Sequence, residues 1–293
     1  MDYTASVGQI PFLDNFLDKN PIKQIGPPSF GPLVNFAVQR LMGRMSGADG
    51  HASEHADLMD RIIATKDAEP EIIDQERLVA YLIIPLAAGN DTVAIACRSI
   101  TYFVLRHERV HAKLRAELDK NRVQTPVSWK QTQQLPYFDA VVKEALRLHA
   151  PVGLPLERVV DERGLQLSDG TYLPEGTIVG INAAVVHRNE VFGERPDEFL
   201  PERWLQAEKE SSDEYESRLA AMQNATFTFG AGSRGCLGRH VALLEVYKVM
   251  ASLFVSFEME LTHPEREWKV MDGFFSRQWD IDVNLKLRQQ RFA

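Results

Sequence analysis

Apolar residues recur at helical spacing along most of the chain, and this periodicity predicts where the helices lie. Prolines at both boundaries of one such segment, residues 136–151, strengthen that prediction, because proline suits the first turn of a helix and cannot continue its last. The helices are predicted over residues 33–46, 56–66, 75–106, 107–119 and 136–151, and from just after Cys236 to about residue 256.

Alternation of apolar and polar residues, which is typical of strands, is confined to the second half of the chain. It predicts strands over residues 165–173, 177–187 and 279–287, and the first of these folds back at the hairpin signal Asp169-Gly170. Helices and strands do not alternate as they do in a βαβ plan. The predicted fold class is therefore α+β and mostly helical, in a single domain over residues 1–293.

Composition and charge exclude several kinds of protein. The 293 residues include 33 lysines and arginines against 41 aspartates and glutamates, and the net charge of −8 argues against general nucleic-acid binding. Two cysteines are too few for a disulfide framework or a four-thiolate metal site, which favours a reducing compartment. The longest apolar run, residues 78–89, is too short to span a bilayer, so we expect a cytosolic or peripherally attached chain.

One of the cysteines, Cys236, lies in a loop rich in glycine, within the stretch FTFGAGSRGCLGRH. Glycines permit a tight loop whose N–H groups approach the sulfur, and these groups, with the positive end of the following helix, stabilise a thiolate. Arg234 lies two residues before the thiol and is suited to pair with a carboxylate of a bound ligand. A single thiolate beside such an arginine suits haem, which takes an axial ligand and carries propionates. Cys97, by contrast, lies inside an apolar helix and is predicted to belong to the core.

Two further groups of polar residues occur on predicted helices. Glu144 and Arg147 are three residues apart and so share one helix face, where a surface ion pair is common and adds little stability. Asp91 and Thr92 follow Gly89 in a long apolar helix, where a carboxyl and a hydroxyl need partners. A helix opened at Gly89 would hold a water molecule there. The alternative is a threonine bonded to its own helix and an aspartate at the surface.

The glycine loop resembles the signature of the cytochrome P-450 superfamily, the haem-thiolate monooxygenases, written Phe-x-x-Gly-x-Arg-x-Cys-x-Gly. Every fixed position is matched, by Phe229, Gly232, Arg234, Cys236 and Gly238. The resemblance implies that Cys236 ligates the haem iron and that Arg234 and Arg158 bind its propionates, with a surface arginine as the alternative for Arg158. The phenylalanine and the two glycines would shape the loop that binds the cofactor.

The same family carries a Glu-x-x-Arg helix and a later Pro-Glu-Arg segment, which KEALRLH and FLPERW in this chain resemble. The resemblance implies a buried cluster of Glu144, Arg147 and Arg203 that braces the fold around the cysteine loop. His187, in VVHRN, resembles a residue of the same region, and an ordinary core histidine is an equal alternative.

The stretch AAGNDTV is similar to the family's oxygen-side motif. The similarity implies that Asp91 and Thr92 guide protons during catalysis. The chain departs from the usual motif at Val93, where a second hydroxyl residue is more common, and Pro85 adds a kink upstream. Neither departure removes the threonine hydroxyl.

The activity implied by the resemblance is insertion of one oxygen atom from O2 into a lipophilic small molecule, in fungal secondary metabolism, with NADPH-derived electrons from a flavoprotein reductase. The reductase would dock on the cysteine side, where Arg239, His240 and Lys248 offer a basic patch. Phe274 and Phe275 match a loop that lines the family's substrate cavity, and core packing is an equal alternative. A cysteine hydrolase with His240 as its base is a third hypothesis, but nothing in the sequence resembles an orienting triad.

The resemblance covers nearly the whole chain but only the carboxyl-terminal portion of a fungal microsomal-type member, since residues 7–21 are similar to the middle of such proteins. It implies a cytochrome P-450 fold that lacks its amino-terminal helices and first strand hairpin, which would leave an apolar edge at residues 177–186. The family resides at the endoplasmic-reticulum membrane. The alternative to a working enzyme is therefore a truncated chain that binds haem without turnover or has no function.

Overall fold

The computed structural model describes residues 31–51 and 56–288, together with Phe12, Phe16 and Leu17. Apart from those three positions, residues 7–21, on which part of the resemblance depends, lie outside the described residues. The chain divides into two compact units, one up to Asp91 and one from Thr92 onward, and each has its own hydrophobic core. The single domain over residues 1–293 stays a prediction.

The six helices that the apolar periodicity predicts are present, within a few residues at each end. Three further helices, Trp129–Thr132, Ala183–Val186 and Ser212–Ala225, were not predicted. Short 3₁₀ turns add Glu190–Phe192, Pro201–Trp204 and Gly232–Arg234. The helices of the described residues are α1 Gly31–Met45, α2 Leu58–Ala68, α3 Gln75–Arg106, α4 Glu108–Lys120, α5 Trp129–Thr132, α6 Pro136–Leu148, α7 Ala183–Val186, α8 Ser212–Ala225 and α9 Arg239–Ser256.

The strands form antiparallel pairs of two, all in the second half of the chain. The pairs are β1 with β4, β2 with β3, β5 with β8, and β6 with β7. This mixture confirms the α+β, mostly helical fold class. The strands are β1 Leu156–Val159, β2 Leu165–Gln166, β3 Tyr172–Leu173, β4 Ile178–Ile181, β5 Phe257–Leu261, β6 Lys269–Asp272, β7 Ser276–Trp279 and β8 Val283–Leu287.

Two strand predictions need correction. The strand predicted over residues 177–187 ends at Ile181, because the Asn182 side chain accepts a hydrogen bond of 2.8 Å from the N–H of Ala184 and so caps α7. The tail predicted as one strand is divided between β7 and β8. Asp280 lies between them with φ of +62°, a left-handed conformation that does not continue a strand.

In the core of the unit that begins at Thr92, α6 shares one hydrophobic cluster with residues of α3, α4 and α9, and it contacts α4 directly. Every residue of its central stretch from Ala140 to Leu148 except Lys143 is buried. The helix begins at the predicted Pro136 and ends at Leu148, three residues before the predicted boundary at Pro151. Because α6 is central and well packed, it is a rigid base for polar side chains that project from it.

Helix α3 is 32 residues long and is assigned as α-helix throughout, with Pro85 inside it. The predicted opening at Gly89 is therefore not observed, since one glycine lowers helix propensity by only about 1 kcal/mol. By length and composition α3 could also cross a membrane. The continuous apolar run at residues 78–89 is shorter than this helix and by itself did not indicate a span. One such helix is weak evidence for a span, because the core helix of a soluble protein passes the same test. Ile95, Ile100 and Val104 of α3 are buried in protein.

Candidate functional site

The cysteine loop, residues 226–238, joins α8 to α9 and is closed by its own backbone. The N–H of Cys236 donates to the carbonyl of Phe229 at 2.8 Å, and the N–H of Gly230 donates to the carbonyl of Phe227 at 3.1 Å. Gly230 and Gly232 have φ of +67° and +65°, which side chains with a Cβ rarely adopt. The glycines are thus required by the conformation of the loop.

The thiol of Cys236 is free and exposed, three residues before α9 begins. A Cβ added at Gly238 would lie 3.9 Å from the sulfur, so the position beside the thiol is occupied only by backbone. Leu237 is fully exposed between them. An exposed sulfur at the positive end of an 18-residue helix, without side chains crowding it, fits a large planar ligand such as haem.

The other residues predicted for the cofactor lie on or beside this loop. Arg234 is exposed at the end of the 3₁₀ turn. The guanidinium of Arg239 lies 5.6 Å from the ring centre of Phe229, a cation–π contact that supports the loop from within. A cavity of about 290 Å³ opens behind Phe229 and Gly230, on the side of α6 and α9, and Cys236 does not line it.

Arg158 is exposed on β1, and its guanidinium donates to the carbonyl of Glu157 at 2.6 Å. Leu156, two residues earlier and so on the same strand face, comes within 3.3 Å of a Cβ built on Gly230. The strand that carries Arg158 is therefore in contact with the cysteine loop.

The predicted ion cluster is present and fully buried at its centre. Glu144 and Arg147 form a bidentate pair with both N–O distances at 2.9 Å and no side-chain exposure. The Nε of Arg203 lies 2.7 Å from Glu144 Oε1. The indole of Trp204 and the N–H of Leu200 donate to the same carboxylate at 2.8 and 3.0 Å. The glutamate thus accepts from four groups on two segments, its own helix and residues 200–204, which offsets the cost of burying its charge.

The two arginines of the cluster also hold the chain between α7 and the second 3₁₀ turn. Arg147 donates to the carbonyls of His187 and Pro196 at 2.8 and 2.6 Å. Arg203 donates to the carbonyl of Phe192, and to that of Arg195 at 3.1 Å. The sequence contained no sign of these carbonyl contacts, because any residue type supplies a backbone carbonyl.

His187 has no exposed surface and connects this cluster to the cysteine loop. Its Nδ1 lies 2.9 Å from the carbonyl oxygen of Arg147, and its Nε2 lies 2.7 Å from the N–H nitrogen of Phe227. Burial lowers the pKa of His187 to about 4. The sequence could not decide whether His187 is a site residue or an ordinary core histidine, because both of its hydrogen-bond partners are backbone groups.

Asp91 and Thr92 are half-buried neighbours on α3. Cys97, further along the same helix, packs against the hydrophobic core, and burial raises the pKa of its thiol to about 11. Phe274 is exposed, whereas Phe275 is partly buried and its backbone forms a bridge with Val152. The loop that the sequence compares with a substrate cavity is thus in contact with the chain at Val152.

The sequence is similar to fungal cytochrome P450 monooxygenases over nearly all of its length. The family model described as Cytochrome P450 matches residues 33–283. The chain is 46% identical to Cytochrome P450 monooxygenase cfoH of Aspergillus candidus, over 99% of this chain and 54% of that protein. It is 36% identical to Cytochrome P450 monooxygenase cicH of Emericella nidulans, over 97% of this chain and 56% of that protein. The chain spans about half the length of these curated relatives.

Proposed function

Because the chain belongs to the cytochrome P450 family, we propose that it acts as a haem-dependent monooxygenase that inserts one oxygen atom from O2 into a lipophilic small molecule. The observation that carries the proposal is the exposed thiol of Cys236 in a closed glycine loop at the start of α9. Bound haem would supply an iron centre for dioxygen activation, with a thiolate ligand that favours O–O cleavage. The similarity to fungal monooxygenases supports a role in fungal secondary metabolism.

In this proposal the cysteine loop and β1 hold the cofactor. Cys236 provides the axial sulfur, and the exposed guanidinium groups of Arg234 and Arg158 bind the two propionates through charge-assisted hydrogen bonds. Gly238 keeps a side chain away from the sulfur, Gly232 supplies a left-handed backbone position in the loop, and the carbonyl of Phe229 accepts the hydrogen bond that closes it. The contact between Leu156 and Gly230 supports a common binding surface for these residues.

We assign Glu144, Arg147 and Arg203 to structural support of the site. Their ion cluster lies on the central helix α6 and is bonded to the segment that carries His187 and Phe192. A fully satisfied buried cluster is rigid, because every alternative arrangement leaves a charge without a partner. The cluster therefore fixes the frame on which the cysteine loop rests.

We assign proton delivery to Asp91 and Thr92. A hydroxyl donates and accepts at the same time, and a carboxyl group releases and takes up a proton, so the pair has the functions a relay requires. The substitution Thr92→Val keeps the shape and removes the hydroxyl. It should lower product formation at least about tenfold while the haem spectrum stays unchanged.

The electrons would come from NADPH through a flavoprotein reductase. Arg239, His240 and Lys248 are exposed on α9, the helix that follows the cysteine loop, and their basic side chains suit a partner with a negatively charged surface. Members of the family are generally membrane-associated, and we place this chain at the membrane surface or in the cytosol. A reductase that docks at Arg239 and His240 would lie close to the cysteine loop.

The proposal is tested by reconstituting the chain with haem and recording the carbon monoxide difference spectrum of the ferrous form. A red-shifted, thiolate-type Soret band and oxidation of a lipophilic substrate in the presence of reductase and NADPH are expected. A thiolate-type band without any product would favour the alternative, haem binding without turnover. Absence of the thiolate-type band in the folded chain would contradict the proposal.

A further inference from the structure

The strongest unassigned feature of the molecule is the buried imidazole of His187. It stands between two elements that the proposed function needs in fixed positions, helix α6 with its ion cluster and the cysteine loop. Its ring makes one hydrogen bond to each, at 2.9 Å to the carbonyl of Arg147 and at 2.7 Å from the N–H of Phe227. The connection is direct and uses both ring nitrogens.

The two partners determine the protonation state of the ring. A carbonyl oxygen only accepts, so Nδ1 must carry the hydrogen that it donates to Arg147. A backbone N–H only donates, so Nε2 must be unprotonated to accept from Phe227. The neutral Nδ1–H form is the one that satisfies both, and a second proton on Nε2 would face the N–H of Phe227.

The surroundings of the ring favour the same neutral form. The charged groups next to it are cationic, the guanidinium groups of Arg147 and Arg188, and the ring of Phe192 packs edge-on with its centre 6.0 Å away. Burial is the largest influence on the pKa of His187, which lies near 4. The ring therefore remains neutral over the whole physiological range of pH.

A short chain of backbone bonds leads from the imidazole to the thiol. The carbonyl of Phe227, whose N–H the imidazole holds, accepts from Gly230 at 3.1 Å. The carbonyl of Phe229, one residue before Gly230, accepts from Cys236 at 2.8 Å. A shift of Phe227 would thus displace both bonds that close the loop around the sulfur.

We infer that His187 is a positioning residue, which fixes the cysteine loop to α6 by accepting the hydrogen bond of Phe227. The inference concerns the order of the loop in the chain itself. Only its consequence for the cofactor rests on the proposed function. The imidazole does not contact the sulfur, and it acts through Phe227 and Phe229.

Amide substitutions separate the two hydrogen bonds of the ring. In His187→Gln the side-chain oxygen reaches the position of Nε2 and still accepts from Phe227. In His187→Asn the shorter amide reaches the position of Nδ1 and keeps only the bond to Arg147. His187→Phe removes both, and His149→Phe is the matched control, because His149 is also largely buried and hydrogen-bonded to a backbone carbonyl, that of Ser276, away from the loop.

The readout is hydrogen–deuterium exchange of the peptide that contains Phe227 and Cys236, measured by mass spectrometry on the complete chain without haem. His187→Asn and His187→Phe should exchange at least about tenfold faster than the unsubstituted chain, since the N–H of Phe227 loses its acceptor. His187→Gln and His149→Phe should remain within about threefold of it. If His187→Phe does not fold, the comparison of Asn with Gln still decides. Equal exchange in the Asn and Gln variants would overturn the inference.

The same variants reconstituted with haem give a second, spectroscopic readout. The thiolate-type fraction of the ferrous carbonyl complex should fall in His187→Asn and be restored in His187→Gln. Should the unsubstituted chain show no thiolate-type band while the exchange pattern holds, the proposed function fails and the inference stands. Should the band be present while the Asn and Gln variants exchange equally, the inference fails and the proposed function stands.

Discussion

Cys97 and Cys236 have the same side chain in opposite surroundings. Cys97 packs against the hydrophobic core, and burial raises the pKa of its thiol to about 11, so it stays protonated. Cys236 is exposed in a polar loop that holds its backbone. The environment of each thiol, rather than cysteine chemistry in general, therefore decides which one is available to a ligand.

The buried carboxylate of Glu144 should be far more important for stability than an exposed one. Glu144→Gln removes the charge that pairs two buried arginines, and we expect the free energy of unfolding to fall by about 3–5 kcal/mol. Glu198→Gln is the matched control, because its pair with Arg195 is more than half exposed and should change stability by less than about 1 kcal/mol. Urea unfolding measures both. Similar losses in the two variants would show that the cluster adds no special support.

His187 should make the chain sensitive to acid. Its pKa is about 4 in the folded chain and about 6.5 when unfolded, so between these values only the unfolded state binds the proton. Stability should therefore fall by roughly 3 kcal/mol as the pH decreases from about 6.5 to about 4. His187→Gln does not titrate and should lack this part of the decline. Urea midpoints measured across the window would refute the expectation if both chains lost stability in parallel.

At the scale of elements, the cysteine loop depends on two glycines with the same backbone conformation and different neighbours. A Cβ on Gly230 would lie 3.3 Å from Leu156, whereas a Cβ on Gly232 meets nothing within 4 Å. Alanine at either position costs about 1–2 kcal/mol for the left-handed backbone. Gly230→Ala must in addition push the loop away from β1. It should destabilise the haem-free chain more in urea unfolding, and equal effects would argue against the contact.

Elements with strong periodicity could be predicted from the sequence, and elements determined by local hydrogen bonds could not. The apolar stripe of α6 and its proline placed that helix correctly, because burial of a whole face is a repeated signal. The turn into α7 depends on one side chain, Asn182, in a segment that alternates like a strand. The short strands β1, β5 and β6 were not predicted.

The same distinction applies to the site. The sequence motifs predicted that Glu144, Arg147 and Arg203 form a cluster, and the structure brings these side chains together. The sequence could not show that Trp204 donates to the Glu144 carboxylate or that His187 accepts from Phe227, because these hydrogen bonds join segments that are distant along the chain. Motifs record which side chains are present, and only the fold shows which backbone groups they meet.

At the scale of the whole molecule, the hairpin of β1 and β4 exposes an unusual amount of apolar surface. Val159 and Ile178 face each other across the pair and are 68% and 65% exposed. Within the described residues these strands pair only with each other. Such an edge is a site for association between chains.

Ile178→Lys should therefore reduce aggregation of the purified chain, because a charged edge resists pairing with a second strand. Met42→Lys is the control, since it adds the same charge at a side chain that is 64% exposed on helix α1. Static light scattering at increasing protein concentration measures the effect. An equal reduction by both substitutions would attribute it to net charge and not to the hairpin.

The central claim is that Cys236 binds the iron of haem, and the carbon monoxide difference spectrum of the ferrous form tests it most directly. The spectrum is compared for the unsubstituted chain, Cys236→Ser and the control Cys97→Ser. We predict a thiolate-type Soret band in the unsubstituted chain and in Cys97→Ser, and its loss in Cys236→Ser. A thiolate-type band that persists in Cys236→Ser would contradict the account.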